Sequence, residues 1–151
     1  MPKASVTRQI AREKQKLINF VLDIEKYPDF IPFCLDSKVY QKKDSEEEIS
    51  IIADLTIGKK PFVDTYKSDV KFNKKDSIIE VTNIGGPLNH LENKWYFKEH
   101  EKGTEISFDI DFEIENKFLN IVMTKSFHFG LDKIADSFQK RAEELFANSK
   151  N

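Results

Sequence analysis

Residues 105–115, Glu-Ile-Ser-Phe-Asp-Ile-Asp-Phe-Glu-Ile-Glu, alternate without a break. Ile106, Phe108, Ile110, Phe112 and Ile114 fall on one side of an extended chain, and Glu105, Ser107, Asp109, Asp111, Glu113 and Glu115 on the other. A strict period of two predicts a strand packed on one face and wet on the other. Weaker copies of the pattern precede it. Ile49, Ile51, Ala53, Leu55 and Ile57 share a face; so do Phe62, Tyr66, Val70 and Phe72; so do Leu91, Trp95 and Phe97. Residues 77–84 are short and β-branched, and residues 4–10 and 35–43 read as two further strands. The breaks carry turn chemistry: Asp44-Ser45, Gly58 to Pro61, Lys75 to Ser77, Gly85-Gly86-Pro87 and Lys102-Gly103. Such short spacings predict an antiparallel meander.

Two regions follow a helical period instead. Leu17, Phe20, Val21 and Ile24 form one stripe after the first strand, and a short helix with Pro28 in its first turn is expected next. From about Phe118 to Ala147 the spacing predicts a long helix, roughly 45 Å from end to end. Its second half is amphipathic, with Phe127, Leu131, Ile134, Ala135, Phe138, Ala142 and Leu145 in line. Its first half carries Phe118, Leu119, Ile121, Val122, Met123, Phe127 and Phe129 around more than one face. That is more apolar surface than one buried stripe needs, which fits either deeper burial or contact with a ligand or bilayer. The order is strand, two helices, about six antiparallel strands, long helix. This is an α+β chain in two layers, a curved sheet gripping one helix, and residues 1–151 form one domain.

Composition narrows the function classes. Basic and acidic residues nearly cancel, 24 against 26, so bulk charge does not drive binding to a polyanion. Thirteen phenylalanines suit a wide core or the walls of an apolar pocket. The one cysteine, Cys34, excludes an internal disulfide and suits a reducing compartment. No apolar run is long enough for a membrane span, and the first residues lack the apolar stretch of a signal peptide. A cytoplasmic protein is expected, with room for peripheral contact at the inner face of a membrane.

The segment Glu25 to Cys34 is unusual. Pro28 and Pro32 break it, yet it holds Tyr27, Phe30, Ile31, Phe33 and Cys34. It reads as a lid, either over an ordinary core or over an apolar ligand that comes and goes. Elsewhere the chemistry is sparse. His90, His100 and His128 make no metal pattern, and Cys34 has no visible base. Gly85-Gly86-Pro87 reads as a tight turn and not as a phosphate loop. Lys59, Lys60, Lys67, Lys71, Lys74 and Lys75 gather on one hairpin, where they serve solubility or meet lipid headgroups or ribosomal RNA. With few arginines and no interleaved aromatics, DNA binding and sequence-specific RNA reading are not expected.

Four stretches, 23–34 (Asp-Ile-Glu-Lys-Tyr-Pro-Asp-Phe-Ile-Pro-Phe-Cys), 53–70, 85–97 and 108–119, carry a resemblance over nearly the whole chain. The chain resembles the coenzyme Q-binding, START-like (SRPBCC, polyketide cyclase-like) proteins of the ubiquinone-binding and RatA-toxin type. It departs in being lysine-rich and in having Phe33 where an indole is common. The resemblance implies a helix-grip fold, six to seven strands around a long C-terminal helix, with an apolar cavity between them. It implies a gate of Tyr27, Phe30, Ile31 and Phe33. The inward strand face supplies the cavity wall: Ile51, Leu55, Phe62, Tyr66, Val70, Leu91, Trp95, Phe108, Ile110 and Phe112. Phe127, Leu131, Ile134 and Phe138 lie opposite. Tyr66 and Trp95 are the candidate polar handles for a quinone carbonyl.

The function expected is non-enzymatic binding of ubiquinone or a related polyprenyl lipid, as a lipid chaperone for respiratory electron transport, with no cofactor or metal required. The alternative is a RatA-like protein that binds a ribosomal subunit and blocks subunit association. A cyclase-like enzyme is a third reading. It needs polar groups of shifted pKa in the pocket, and the inward face reads as almost wholly apolar.

Overall fold

Alternation along the strands and short polar turns between them produce a single meander with one added edge. The computed structural model describes residues 3–31, 34–59, 62–85, 88–114 and 117–145, with the side chains of 3, 4, 59, 62, 64, 85, 88–90, 112–114 and 117–130 outside that description. Strand β1 (Lys3–Ile10) is followed by helix α1 (Lys14–Leu22), a 3-10 helix (Ile24–Asp29), and strands β2 (Cys34–Asp44), β3 (Glu48–Lys59), β4 (Phe62–Asn73), β5 (Ile78–Gly85), β6 (Leu88–His100) and β7 (Gly103–Ile114). Helix α2 (Lys117–Leu145) ends the described chain. The seven strands form one curved antiparallel sheet in the order β1-β7-β6-β5-β4-β3-β2, so β1 closes the meander against its last strand.

The short helix differs from expectation. Residues 24–29 are 3-10, Ile24 belongs to it and not to α1, and Pro28 stands next to its last residue. A one-to-two-turn 3-10 segment has few internal bonds, so a missing N–H near its end costs little. Phe30 N and Ile31 N both donate to Tyr27 O and turn the chain toward β2.

Register divides the sheet into two ends. At one, Cys34 pairs with Ile57, Lys59 with Phe62, Gly85 with Lys67, Leu88 with Ile114 and Lys3 with Asp111. The connections at this end carry Pro32, Pro61 and Pro87, so we call it the proline end. At the other, Asp44 pairs with Ile49, Asn73 with Ile78, His100 with Gly103 and Ile10 with Thr104. Here the turns are charged and tightly specified. Ser77 takes a left-handed φ of 57° and donates its N–H to Asn73 O. Gly103 has φ 143°, and a Cβ there would stand 2.2 Å from Ile10 O, so only glycine lets the β6–β7 turn press on β1.

Helix α2 leaves β7 at the proline end and crosses to the charged end. There Arg12 Nη2 donates to Glu143 O at 2.9 Å, a cation at the helix C-terminus that satisfies an orphan carbonyl. Thr104 Oγ1 donates to Arg12 O at 2.9 Å and fixes that arginine's backbone to β7. The second half of α2, with α1 and the 3-10 helix, covers the concave face near the charged end. Leu17, Ile18, Phe20, Val21, Ile24, Phe138 and Ala142 meet Ile51, Phe72, Ile79, Trp95, Phe97 and Ile106 there in one core.

Candidate functional site

Cross-strand rows order the concave face. Phe97 and Ile106 pair nearest the charged end, and in the row beside them Phe72, Ile79, Trp95 and Phe108 lie side by side on β4, β5, β6 and β7. The next row is Ile51, Val70, Val81, Asn93 and Ile110 on β3 to β7. The row toward the proline end is Ala53, Ser68 and Asn83, and beyond it Leu55 faces Tyr66.

The Trp95 row is covered by aromatics. Phe138 of α2 stands at the centre, with ring centroids 5.1 Å from Trp95, 5.3 Å from Phe30, 5.5 Å from Tyr27 and 5.7 Å from Phe20. Trp95 in turn meets Phe108 edge-on at 4.5 Å. Such pairs add to plain burial because ring edges meet ring faces. The space left between β1, α1 and α2 is a cavity of about 40 Å³, lined by Val6, Arg8, Phe20, Trp95, Phe108, Leu131, Ile134 and Phe138 among others. Small-molecule sites run to about 300–1,000 Å³, so this void is too small for a quinone ring. Arg8 at its rim is held by Asp136 at 3.0 Å and Asp132 at 3.8 Å.

Trp95 and Asn93 are already paired in this half. Trp95 Nε1 donates to Asn93 Oδ1 at 3.0 Å, and Asn93 Nδ2 donates to Asp109 O at 3.0 Å. Trp95 therefore has no free donor to offer a ligand in this state. Tyr27 donates its hydroxyl to Val21 O, so the gate tyrosine is tied to the end of α1. Phe30 is packed between Phe20 and Phe138, with the Arg141 guanidinium 5.9 Å from its ring centroid. Tyr27, Phe30 and Ile31 thus sit against the core, where the proposed gate and an ordinary cap coincide. Phe33 lies outside the described residues.

The rows toward the proline end differ in character. Ala53 and Ser68 are each 1% exposed and lie directly opposite one another. Ser68 Oγ is buried and has no hydrogen-bond partner. Asn83 pairs with Ser68 across β5 and shares its face. Tyr66 sits two residues along β4; desolvation, with the nearby Cys34 thiol adding, pushes its ionisation well above the usual phenol range. Tyr27 is shifted the same way by burial first, then by Tyr66 and Cys34, so these three groups form a neutral cluster beside the start of β2. Burial, with Asp36 nearby, pushes the Cys34 thiol up to about 11.

Of the expected wall, Leu55, Tyr66, Val70, Leu91, Trp95, Phe108 and Ile110 belong to strand positions on the concave face, and Leu131, Ile134 and Phe138 face them from α2. The side chains of Phe62, Phe112 and Phe127 lie outside the described residues, as do those of His90 and His128. The expectation of an almost wholly apolar inward face is corrected. Ser68 and Asn93 are buried on it, and Asn83 joins them. The signal was available in the period of two: Ser68 falls between Tyr66 and Val70, and Asn93 between Leu91 and Trp95.

On the convex face the charges interleave. Lys94 reaches Glu80 at 4.0 Å, Lys71 reaches Asp69 at 3.9 Å, and Lys74 donates to Asp44 at 2.6 Å. Lys67 stands 4.9 Å from the Tyr40 ring centroid, and Tyr40 donates to Asp54 at 2.5 Å. His100 pairs with Glu105 at 2.8 Å. Among the described residues no group of three or more His, Cys, Asp or Glu could hold a metal, and no helix is long and apolar enough to cross a membrane.

The family model described as polyketide cyclase/dehydrase and lipid transport matches residues 10–139. The chain is 30% identical over 142 residues to the ribosome association toxin RatA of Rickettsia prowazekii, covering 92% of this chain and 94% of that protein. It is 29% identical over 151 residues to the mitochondrial coenzyme Q-binding protein COQ10 of Dictyostelium discoideum, covering 95% and 72%. In fold it superposes on an 18 kDa protein of Caulobacter crescentus, solved in solution, with a TM-score of 0.80 at 22% identity, over 97% of this chain and 99% of that one. With its helix-grip architecture, the chain belongs to the START-like polyketide cyclase/dehydrase and lipid transport family, in the group that holds the RatA and coenzyme Q-binding proteins.

Proposed function

We propose that this protein binds an isoprenoid quinone, ubiquinone foremost, or a related polyprenyl lipid, and acts as a non-enzymatic lipid chaperone for respiratory electron transport. The observation that carries this reading is the polarity of the fold. The connections before β2, between β3 and β4, between β5 and β6, and from β7 into α2 all gather at the proline end, and the sequence of the first half of α2 that starts there carries Phe118, Leu119, Ile121, Val122, Met123, Phe127 and Phe129. The lipid enters there and lies between the concave face and the first half of α2. Its tail is held by transfer of apolar area from water, about 25 cal/mol per Å². The similarity to a coenzyme Q-binding protein over 95% of the chain supports the choice of ligand. No bond is made or broken in this function, and a cytoplasmic protein touching the inner face of the membrane would exchange its cargo there.

The test is lipid recovery. Protein expressed in a ubiquinone-producing host is washed, extracted with organic solvent and analysed by mass spectrometry. Ubiquinone is expected to co-purify in amounts that scale with protein. Repeated extraction of folded protein with no quinone above an unrelated control contradicts the reading.

The similarity to RatA over 94% of that toxin's length favours one other reading, contact with a ribosomal subunit that blocks subunit association. It assigns the work to the convex lysines and not to the concave face. Under it, Lys67→Glu with Lys71→Glu abolishes co-sedimentation with ribosomes and leaves lipid content alone. Retained co-sedimentation in that double variant rejects a lysine-driven contact.

A further inference from the structure

We infer that Ser68 seats the polar head of the ligand, and that the head is uncharged and presents an oxygen to this hydroxyl. The inference rests on the lipid-binding reading above and adds to it the chemistry of the head. Ser68 is 1% exposed, and its Oγ has no partner. A buried hydroxyl without a partner is unfavourable, and folded proteins seldom keep one. Its side chain points to the concave face, because Val70 and Phe72, two and four residues along β4, are buried on that same face. Ala53 opposite it is the smallest side chain in its part of β3, so the row dips where the hydroxyl stands. Asn83 flanks it on the other side.

The surroundings select the head group. The concave positions of the neighbouring rows are Ile51, Val70, Val81, Asn93, Tyr66 and Leu55, none of which carries a formal charge. Among the described residues these rows offer no counter-charge, and an anionic head such as a phosphate buried without one is strongly unfavourable. A bare hydrocarbon would leave the hydroxyl unmade. A carbonyl or ether oxygen on a neutral ring accepts from Ser68 O–H and removes the deficit. Asn93 is committed to Trp95 and Asp109, whereas the Ser68 hydroxyl has no partner.

The experiment compares wild type with Ser68→Ala by calorimetric titration against decylubiquinone, decylbenzene and farnesyl monophosphate. One neutral hydrogen bond predicts that Ser68→Ala weakens decylubiquinone binding about 3- to 10-fold and leaves decylbenzene within about twofold. Removing an unsatisfied hydroxyl also predicts that the ligand-free variant melts about 2–4 °C higher than wild type. Unchanged decylubiquinone affinity in Ser68→Ala overturns the inference and leaves the lipid-binding reading standing. So does an equal loss for decylbenzene, or a lower melting temperature, which would give the hydroxyl a structural partner. Tighter binding of farnesyl monophosphate than of decylubiquinone by wild type overturns the neutral head. Failure of wild type to bind decylubiquinone at all removes the quinone reading itself.

Discussion

The concave face has two halves that solve different problems with the same strands. Near the charged end, Phe72, Trp95, Phe97, Ile106 and Phe108 meet α1 and the second half of α2, with only about 40 Å³ left over. Phe138, Trp95 and Phe108 meet ring to ring there, and Trp95 Nε1 is paired through Asn93. Toward the proline end the same strands present Ala53, Ser68, Asn83 and Tyr66, smaller or more polar groups, one of them unpaired. A protein that needed only stability would have continued the aromatic pattern. The contrast teaches that the aromatic core and the proposed ligand surface are stacked along one sheet.

That division can be broken most forcefully at its anchor. Phe138→Ala removes the ring shared by Phe20, Tyr27, Phe30 and Trp95 and is expected to cost about 3–5 kcal/mol in urea unfolding. A loss below about 1 kcal/mol would mean that the aromatic half is not the stabilising one. A matched pair of enlargements sharpens the contrast. Ala142, fully buried in the packed half, has no room, so Ala142→Leu is expected to cost about 1–3 kcal/mol. Ala53 is 1% exposed but lies on the proposed ligand surface, so Ala53→Leu is expected to cost less than Ala142→Leu and to lower the amount of quinone that co-purifies. Equal costs with unchanged quinone would erase the distinction.

Asn93 marks the seam between the halves. Asn93→Ala leaves Trp95 Nε1 and the Asp109 carbonyl unpaired and is expected to cost about 1–3 kcal/mol, with a shift in Trp95 emission that reports the lost bond. The smallest effect is one of pH. Burial raises the Cys34 thiol from 9.0 to about 11, so the folded state favours the protonated form. Its contribution is complete below pH 9 and is lost as pH rises from about 9 to 11. Wild type should lose more stability than Cys34→Ala between pH 8 and pH 10.5; parallel losses would mean that the thiol is not buried as described.

Most of the fold was legible because the periods are clean. The alternation at Ile106, Phe108 and Ile110 placed β7, and the stripe Leu131, Ile134, Phe138 and Ala142 placed the gripping face of α2. The 3-10 helix was misjudged at Pro28, since a period of 3.6 and one of 3.0 cannot be separated over six residues. The site was read less well. The apolar wall is legible in the period of two, but Ser68 and Asn93 fall inside apolar alternations and carry no pattern of their own. Whether a small polar residue on a packed face is an interruption or a contact depends on its neighbours across the strands, and only the register of β3, β4, β5 and β6 supplies those. The filled state of the aromatic half was likewise invisible, because alternation reports which side chains point inward and not whether their volumes meet.

The most direct measurement is an NMR titration of the isotopically labelled protein with decylubiquinone. Saturable amide shifts are predicted at Ala53, Leu55, Tyr66, Ser68, Asn83 and Leu91, with Leu17, Phe97 and Ala142 nearly unmoved. Shifts centred on Phe97 and Ala142, or no saturable shift anywhere on the concave face, would contradict it.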